Sequence, residues 1–221
     1  MFGGFTDRTL DFLIAIRFNN NRAFFHENHD WYMESVRKPL LELAFDLAGT
    51  IEQIDPELER RPERVVSRIN RDLRFSKDKS PYRDYMWIGW HNPANKGGLP
   101  GYYVDISPDH LGYGLGFWED NKPLIEAHKL YLINHPDDFL RTVPPALEGM
   151  GLELRGYKRM KFPDELKSEL QPWYAMRSLF VFRNIGDYKE MFDANLGETI
   201  RQAFLKLAPV YRYFAGLKPA E

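Results

Sequence analysis

The 221-residue chain has no cysteine, which excludes disulfides, thiolate metal centres and cysteine nucleophiles and fits a reducing cytoplasm as the expected compartment. The fold must hold by packing alone. No apolar run approaches the roughly 20 residues that span a bilayer, and the opening Met-Phe-Gly-Gly-Phe-Thr-Asp-Arg lacks the cationic and apolar segments of a secretory leader, so no membrane partner is expected. A Walker A loop is absent, because Lys79-Ser80 follows no glycine-rich turn. The six histidines are scattered apart from His26 and His29, whose spacing of three is not that of H-E-x-x-H, and no metal centre is expected. Nothing in the spacing of Ser, His, Asp and Glu selects a triad or a carboxylate pair, and no motif names a cofactor. A pI near 6.3 argues against a general nucleic-acid binder.

Against that background the run from Arg68 to Arg83 stands out. It carries six basic groups and two acids in a chain of net charge -2. Extended back to Arg60, the stretch holds nine Lys/Arg against Glu63, Asp72 and Asp78, a formal +6 that leaves -8 for the rest. A local positive site on an acidic body points to a small anion rather than to a wrapped polyanion.

With 43% hydrophobic and 15% aromatic residues, the chain is expected to fold as a single domain over residues 1–221. Thr6 can cap a helix bearing Leu10, Leu13, Ile14 and Ile16 that stops at Asn19-Asn20-Asn21. Val36, Leu40, Leu43, Ala44, Leu47 and Ile51 mark the buried face of a long helix, with Pro39 as a kink or restart and Asp55-Pro56 as its end. Strands are predicted at Arg64–Asn70, Asp84–Trp90, Gly101–Ser107, Leu111–Trp118 and Ser178–Arg183; the second, third and fourth of these have links too short for helical crossovers. Helices are predicted at Pro123–Asn134, at Pro136–Leu147 despite Pro144-Pro145, and over Asp187–Leu217, where Phe192, Leu196, Ile200, Phe204 and Leu207 recur at helical spacing. The expected class is α+β, an antiparallel meander packed against N- and C-terminal helices.

If Arg68–Arg74 is extended, Arg68, Asn70, Asp72 and Arg74 share one face, with Ile69, Arg71, Leu73 and Phe75 on the other. Arginine forks beside an amide and a carboxylate suit a phosphate or carboxylate, with Asp72 holding the arginines or receiving a metal or a proton. The plainer alternative is a structural Arg/Asp network. Ser76, Lys77, Asp78, Lys79, Ser80 and Tyr82 add donors in a loop able to close over a ligand, or simply to be solvated. Gly112, Gly114 and Gly116 lie at period two, so something approaches that face closely: a helix, an aromatic ring or a ligand. Of Tyr102 and Tyr103 only one can face the basic site, and Tyr103, sharing its face with Asp105 and Ser107, is the candidate, against burial with a satisfied hydroxyl.

Asn19-Asn20-Asn21-Arg22 with Phe25, the block Arg68–Arg83, Gly101-Tyr102-Tyr103 and Gly114-Leu115-Gly116-Phe117-Trp118 together resemble the uncharacterised family called domain of unknown function 2461, found in bacteria and fungi. The similarity covers most of the chain and is most specific from Arg68 to Tyr82. It implies a compact protein and supplies no reaction. The chain has Phe24-Phe25 where the family usually shows a pair such as Trp-Phe, and Arg83 where it usually has Lys; Arg177 resembles a basic position of the family.

The leading expectation is a pocket for a phosphorylated or carboxylated small molecule formed by Arg68, Asn70, Arg71, Arg74, Lys77 and Lys79 with Tyr82 and Tyr103. In an enzymatic version Asp72 or Asp78 would be the acid/base group. The alternative is a noncatalytic module that binds nucleic acid or an acidic protein through the same stretch, and salt dependence separates the two.

Overall fold

A computed structural model describes residues 1–74, 77–94, 98–117 and 121–218. Thr6 is extended and caps α1 (Asp7–Phe18), its N–H donating to Thr9 Oγ1 at 3.2 Å. Asn19 closes that helix, and the Asn21 side chain caps α2 (Arg22–Glu27) by accepting from the Phe24 N–H at 3.0 Å. Then α3 (His29–Tyr32), a π-helical segment (Met33–Arg37) and α4 (Lys38–Ile54) follow without interruption. Pro39 lies inside that continuous run, and the Ser35 carbonyl four residues back, which its missing N–H cannot serve, accepts from the Thr9 hydroxyl at 2.6 Å. After α5 (Pro62–Val65) come β1 (Met86–Trp90), β2 (Gly101–Ile106) and β3 (Leu111–Phe117), then α6 (Lys122–Asn134), α7 (Pro136–Ala146) and β4 (Gly151–Gly156). The chain continues through α8 (Gln171–Tyr174), β5 (Met176–Ile185), α9 (Tyr188–Met191) and α10 (Leu196–Gly216).

The fold is α+β, and its five strands form an antiparallel sheet in the order β1-β2-β3-β5-β4. Among the described residues no helix is long and apolar enough to cross a membrane. By its contacts the chain divides into two units, Met1–Trp90 with Tyr103–Tyr113 and Asn184–Arg201, and His91–Tyr102 with Gly114–Arg183 and Gln202–Glu221. In the first, α1 and α4 bury Phe12, Leu13, Ile16, Leu40, Leu43, Leu47 and Ile51 completely. In the second, Tyr102 packs on Phe204 at 4.7 Å between ring centroids and donates its hydroxyl to the Phe204 carbonyl at 3.3 Å, so it is core, as expected of one member of the tyrosine pair.

Two expectations, the strand at 64–70 and a single helix over 187–217, are corrected. Residues 64–70 do not form a regular strand: they end a short helix begun at Pro62 and then pair loosely with residues 82–88, in isolated bridges of Val66 with Ile88 and Asn70 with Tyr82. On α1, Leu10, Leu13 and Ile16 are buried and Ile14 is 40% exposed. The segment 187–217 is two helices, interrupted where Asp193 accepts from the Asn195 N–H at 2.8 Å and makes a tight polar turn. The helix expected at Pro136–Leu147 is present as α7, with Pro144 and Pro145 near its C-terminal end. β4 was not anticipated. It is a mostly exposed edge strand recruited by pairing with β5, Gly151 opposite Phe182 through Arg155 opposite Ser178.

The glycine stripe of β3 is filled by the protein itself. A Cβ on Gly114 would sit 1.9 Å from the Val181 carbonyl oxygen, and one on Gly116 would meet the same strand's Leu179 oxygen and Phe180 ring at 2.9 Å. At Gly112 the space is taken by the Asp105 carboxylate, with the Asn184 amide beside it. The predicted end of this strand, Trp118, lies outside the described residues.

Candidate functional site

The basic stretch is the loop of a loosely paired antiparallel hairpin. Its arms are joined by Ser67 N–H to Trp87 O, Arg83 N–H to Ile69 O and Arg71 N–H to Pro81 O, at 2.8 to 2.9 Å. Exposure alternates as an extended chain requires: Arg68, Asn70, Asp72 and Arg74 face solvent, Ile69 is buried, and Arg71 and Leu73 are half-buried. The outward polar face is therefore as expected, and Arg71 is on the other one. Phe75 and Ser76 lie outside the described residues.

The acids of the loop are consumed inside it. Arg74 grips Asp72 with Nε at 3.0 Å and Nη2 at 2.7 Å, and that side-chain contact, helped by the Arg74 N–H, holds the Asp72 carboxyl down to about 2. Asp78 is also held below the usual range, first by the Ser80 hydroxyl and N–H and then by the Arg71 charge. Arg71 donates to Asp78 and, through Nη2 at 3.3 Å, to the Tyr82 carbonyl. Both carboxylates stay ionised at neutral pH, so neither can serve as a general acid there. Lys79 caps the Leu73 carbonyl at 3.1 Å, and Arg83 donates to the carbonyls of Arg68 and Asn70 at 2.7 and 2.6 Å while its guanidinium lies 4.8 Å over the Trp87 ring. The side chains of Arg68 and Lys77 are exposed and have no ion-pair partner among the described residues.

The hairpin is fastened from beneath. Asn20 donates to the Tyr82 carbonyl at 2.9 Å and accepts from the Tyr82 N–H at 3.0 Å, mimicking a strand partner. The buried Tyr82 ring stacks on Phe25 at 4.3 Å, so Tyr82 supports the loop rather than presenting a ring to a ligand. Arg17 donates to Asp84, just beyond the hairpin, at 2.5 Å and to Asp109, in the β2–β3 turn, at 2.7 Å. Removing Asn20 strands the Tyr82 N–H and leaves its carbonyl only the longer Arg71 contact; Asn20→Ala should cost about 1–3 kcal/mol in urea unfolding. A loss within error would show that water or the backbone replaces the clamp.

Tyr103 and Asp105 share the half-buried face of β2, as expected. Burial pushes the Tyr103 hydroxyl well up, with Asp105 adding to it. Burial also raises the Asp105 carboxyl, against the opposing effect of His110, whose Nε2 lies 3.0 Å away. His110 Nδ1 is 3.1 Å from Ser107 Oγ. This Asp-His-Ser chain is not a nucleophile relay: Ser107 is buried, and its Oγ accepts from the N–H groups of Asp109 and His110 and so holds the turn. The signal for Asp105 was available, an acid inside an otherwise apolar strand. His29 packs edge-on against Phe25, and no cluster of three or more metal-ligating side chains occurs among the described residues.

In the second unit an open groove of about 690 Å³ lies between α6, α7 and α10, with Tyr131, Tyr213 and Asp138 among its walls. Its tyrosines are already engaged, Tyr131 with Asp138 at 2.5 Å and Tyr213 with the buried His128 at 2.7 Å.

The family model described as "Conserved hypothetical protein (DUF2461)" matches residues 8–213. The chain belongs to this family. No curated protein matches it. On the DUF2461 fold, two of the segments that carried the resemblance meet: the Asn-Asn-Asn-Arg turn and Phe25 form the seat on which Tyr82 and the basic hairpin are mounted. In this chain Asn20 and Phe25 hold the Tyr82 arm of the hairpin in place.

Proposed function

We propose that the hairpin of residues 68–83 binds a small molecule carrying a phosphate or carboxylate. The observation that supports this reading is a surplus of charge on a fastened loop. Asp72 and Asp78 are occupied by Arg74 and Arg71, while Arg68, Lys77, Lys79 and Arg83 have no carboxylate at ion-pair distance among the described residues. Arg71, fixed by Asp78, keeps further N–H donors, since a guanidinium has five. Asn70 adds an exposed amide on the outward face, and Tyr103, with its hydroxyl protonated, is a donor for a ligand that reaches β2. Asp72 and Asp78 act as holders of the arginines. Catalysis is not needed for this reading.

The test is thermal unfolding with pyrophosphate, sugar phosphates, dicarboxylates and oligonucleotides, on the wild type and on Arg68→Ala/Lys77→Ala. A compact anion at a hundred times its Kd should add about 2.7 kcal/mol, roughly 5–10 °C for a chain of this size. The double variant should lose that shift while its ligand-free midpoint stays in place. No shift from any compact anion would overturn the reading. A response to oligonucleotides alone, collapsing steeply with salt, would replace it with a polyanion module.

A further inference from the structure

We infer that β4 is the seat of a symmetric contact between two copies of this chain, their sheets joined antiparallel, edge to edge, across it. β4 ends the strand order and has a strand, β5, on one side only. Beyond that ladder the backbone of Gly151–Gly156 makes no hydrogen bond among the described residues, and four of its six residues are exposed. Such an edge offers a row of unpaired N–H and C=O groups to another extended chain.

The residues of the strand select a second copy as that chain. Leu152 and Leu154 stand opposite Val181 and Leu179, both fully buried, so the two leucines carry the core face of the sheet out to its rim. Leu152 is 41% exposed there. Glu153 and Arg155 lie on the other face, where the Arg155 guanidinium sits 4.6 Å over the Phe180 ring. In an antiparallel pair with its two-fold axis at Leu154, position 153 of each copy faces position 155 of the other. Glu153 then meets the partner's Arg155 on one face, and the leucines of both copies close into one apolar strip on the other. No neighbouring register does this. A slip by one residue either way sets Arg155 opposite a leucine, and an axis at Glu153 or Arg155 sets like charges against each other.

The contact within the chain does not compete with this pairing. Arg155 holds Glu153 through Nε at 2.8 Å. A guanidinium has five N–H groups and a carboxylate accepts from several donors, so the two pairs can merge into a square of alternating charge. Proteins that keep an edge strand apart use proline, a central bulge or repelling charge. β4 has no proline, its register shift lies at its end between Arg155 and Gly156, and its two charges are of opposite sign. Six residues a side make a contact below the standard size, so the dimer is expected to be weak and reversible.

The test is sedimentation equilibrium of the full chain over a wide range of concentrations, on the wild type, Glu153→Arg and Arg155→Glu. The wild type should be a reversible monomer-dimer system, with the 151–156 amides exchanging more slowly as concentration rises. Each single variant sets like charges opposite each other and should weaken self-association by about tenfold or more. Both positions are exposed and their pair within the chain contributes little to stability, so the variants stay folded. Mixing the two should restore dimers, now between unlike chains, and Glu153→Arg/Arg155→Glu should restore them between identical ones. A wild type that is monomeric at every concentration overturns the inference. So does a dimer that both single variants retain, or one that neither the mixture nor the double variant recovers. None of these substitutions touches the hairpin, so the outcome is independent of the anion reading.

Discussion

Gly114→Ala is expected to destabilise the protein by about 3 kcal/mol or more, the upper end of what overpacking usually costs. The new methyl would lie 1.9 Å from the Val181 carbonyl oxygen, 2.9 Å from its carbon and 3.0 Å from the Phe182 Cα. All three are backbone atoms of β5, so no rotamer change relieves the overlap, and β5 has to move. Two neighbouring glycines calibrate the result. At Gly112 the closest obstacle is the Asp105 carboxylate at 2.5 Å, a side chain that can turn away at the expense of its contact with His110, and an intermediate loss is expected. At Gly89 nothing but the Trp87 ring comes within 4 Å, at 3.7 Å, and alanine there should be neutral or slightly stabilising, because the unfolded chain loses freedom. Urea unfolding of the three variants should rank them in that order. A Gly114→Ala loss below about 1 kcal/mol would mean that β5 yields easily.

That glycine stripe shows how far the sequence was legible. Three glycines at period two announced a close approach by a helix, an aromatic ring or a ligand; the Phe180 ring does approach Gly116, but the backbone of β5 over Gly114 could not be foreseen, because Gly114 and Val181 are 67 positions apart. Local signals worked where local chemistry decides. Thr6 and Asn19 bound α1 by capping, and β1 and β2 alternate because one face is covered, whereas β3 is buried throughout. β4 and the bridges at Val66 and Asn70 form only through distant partners, so no periodicity marked them.

The same division runs through the candidate site. The outward face of Arg68, Asn70, Asp72 and Arg74 was readable from alternation alone. The ownership of the charges was not. Asp72 and Asp78 were open to acid/base or holding roles, and only the coordinates pair them with Arg74 and Arg71. Asn20, 62 residues from Tyr82, could be placed in a turn but not beneath the hairpin. Asn20 and Phe25 thus support the Tyr82 arm from a segment far away in sequence, and Arg68 and Lys77 stay exposed on the loop.

The second large effect is on acid stability and comes from His128. Its Nε2 lies 3.1 Å from the Trp173 carbonyl, which can only accept, so Nε2 carries the proton and Nδ1 accepts from the Tyr213 hydroxyl at 2.7 Å. Burial pushes the imidazole down to about 4; the Trp173 carbonyl opposes that shift, and the Lys129 charge adds to it. An unfolded histidine titrates near 6.5. Between these values the unfolded chain binds the extra proton, so stability is complete above about 6.5 and declines as pH falls towards about 4, by roughly 3 kcal/mol in all. Asp105 acts with the opposite sign, since its carboxyl is raised in the fold and its protonation favours the native state on acidification. The difference between wild type and His128→Phe separates the two. The variant is expected to be less stable at neutral pH, having stranded the Tyr213 hydroxyl and the Trp173 carbonyl, yet to lose less on going from pH 6.5 to pH 4. Should it fail to fold, the native imidazole still gives the answer: its ring resonances should show a neutral His128 at pH 5. A protonated ring at that pH, or equal acid slopes in the two proteins, would mean that water reaches this core and that the histidine is not the group that limits its stability in acid.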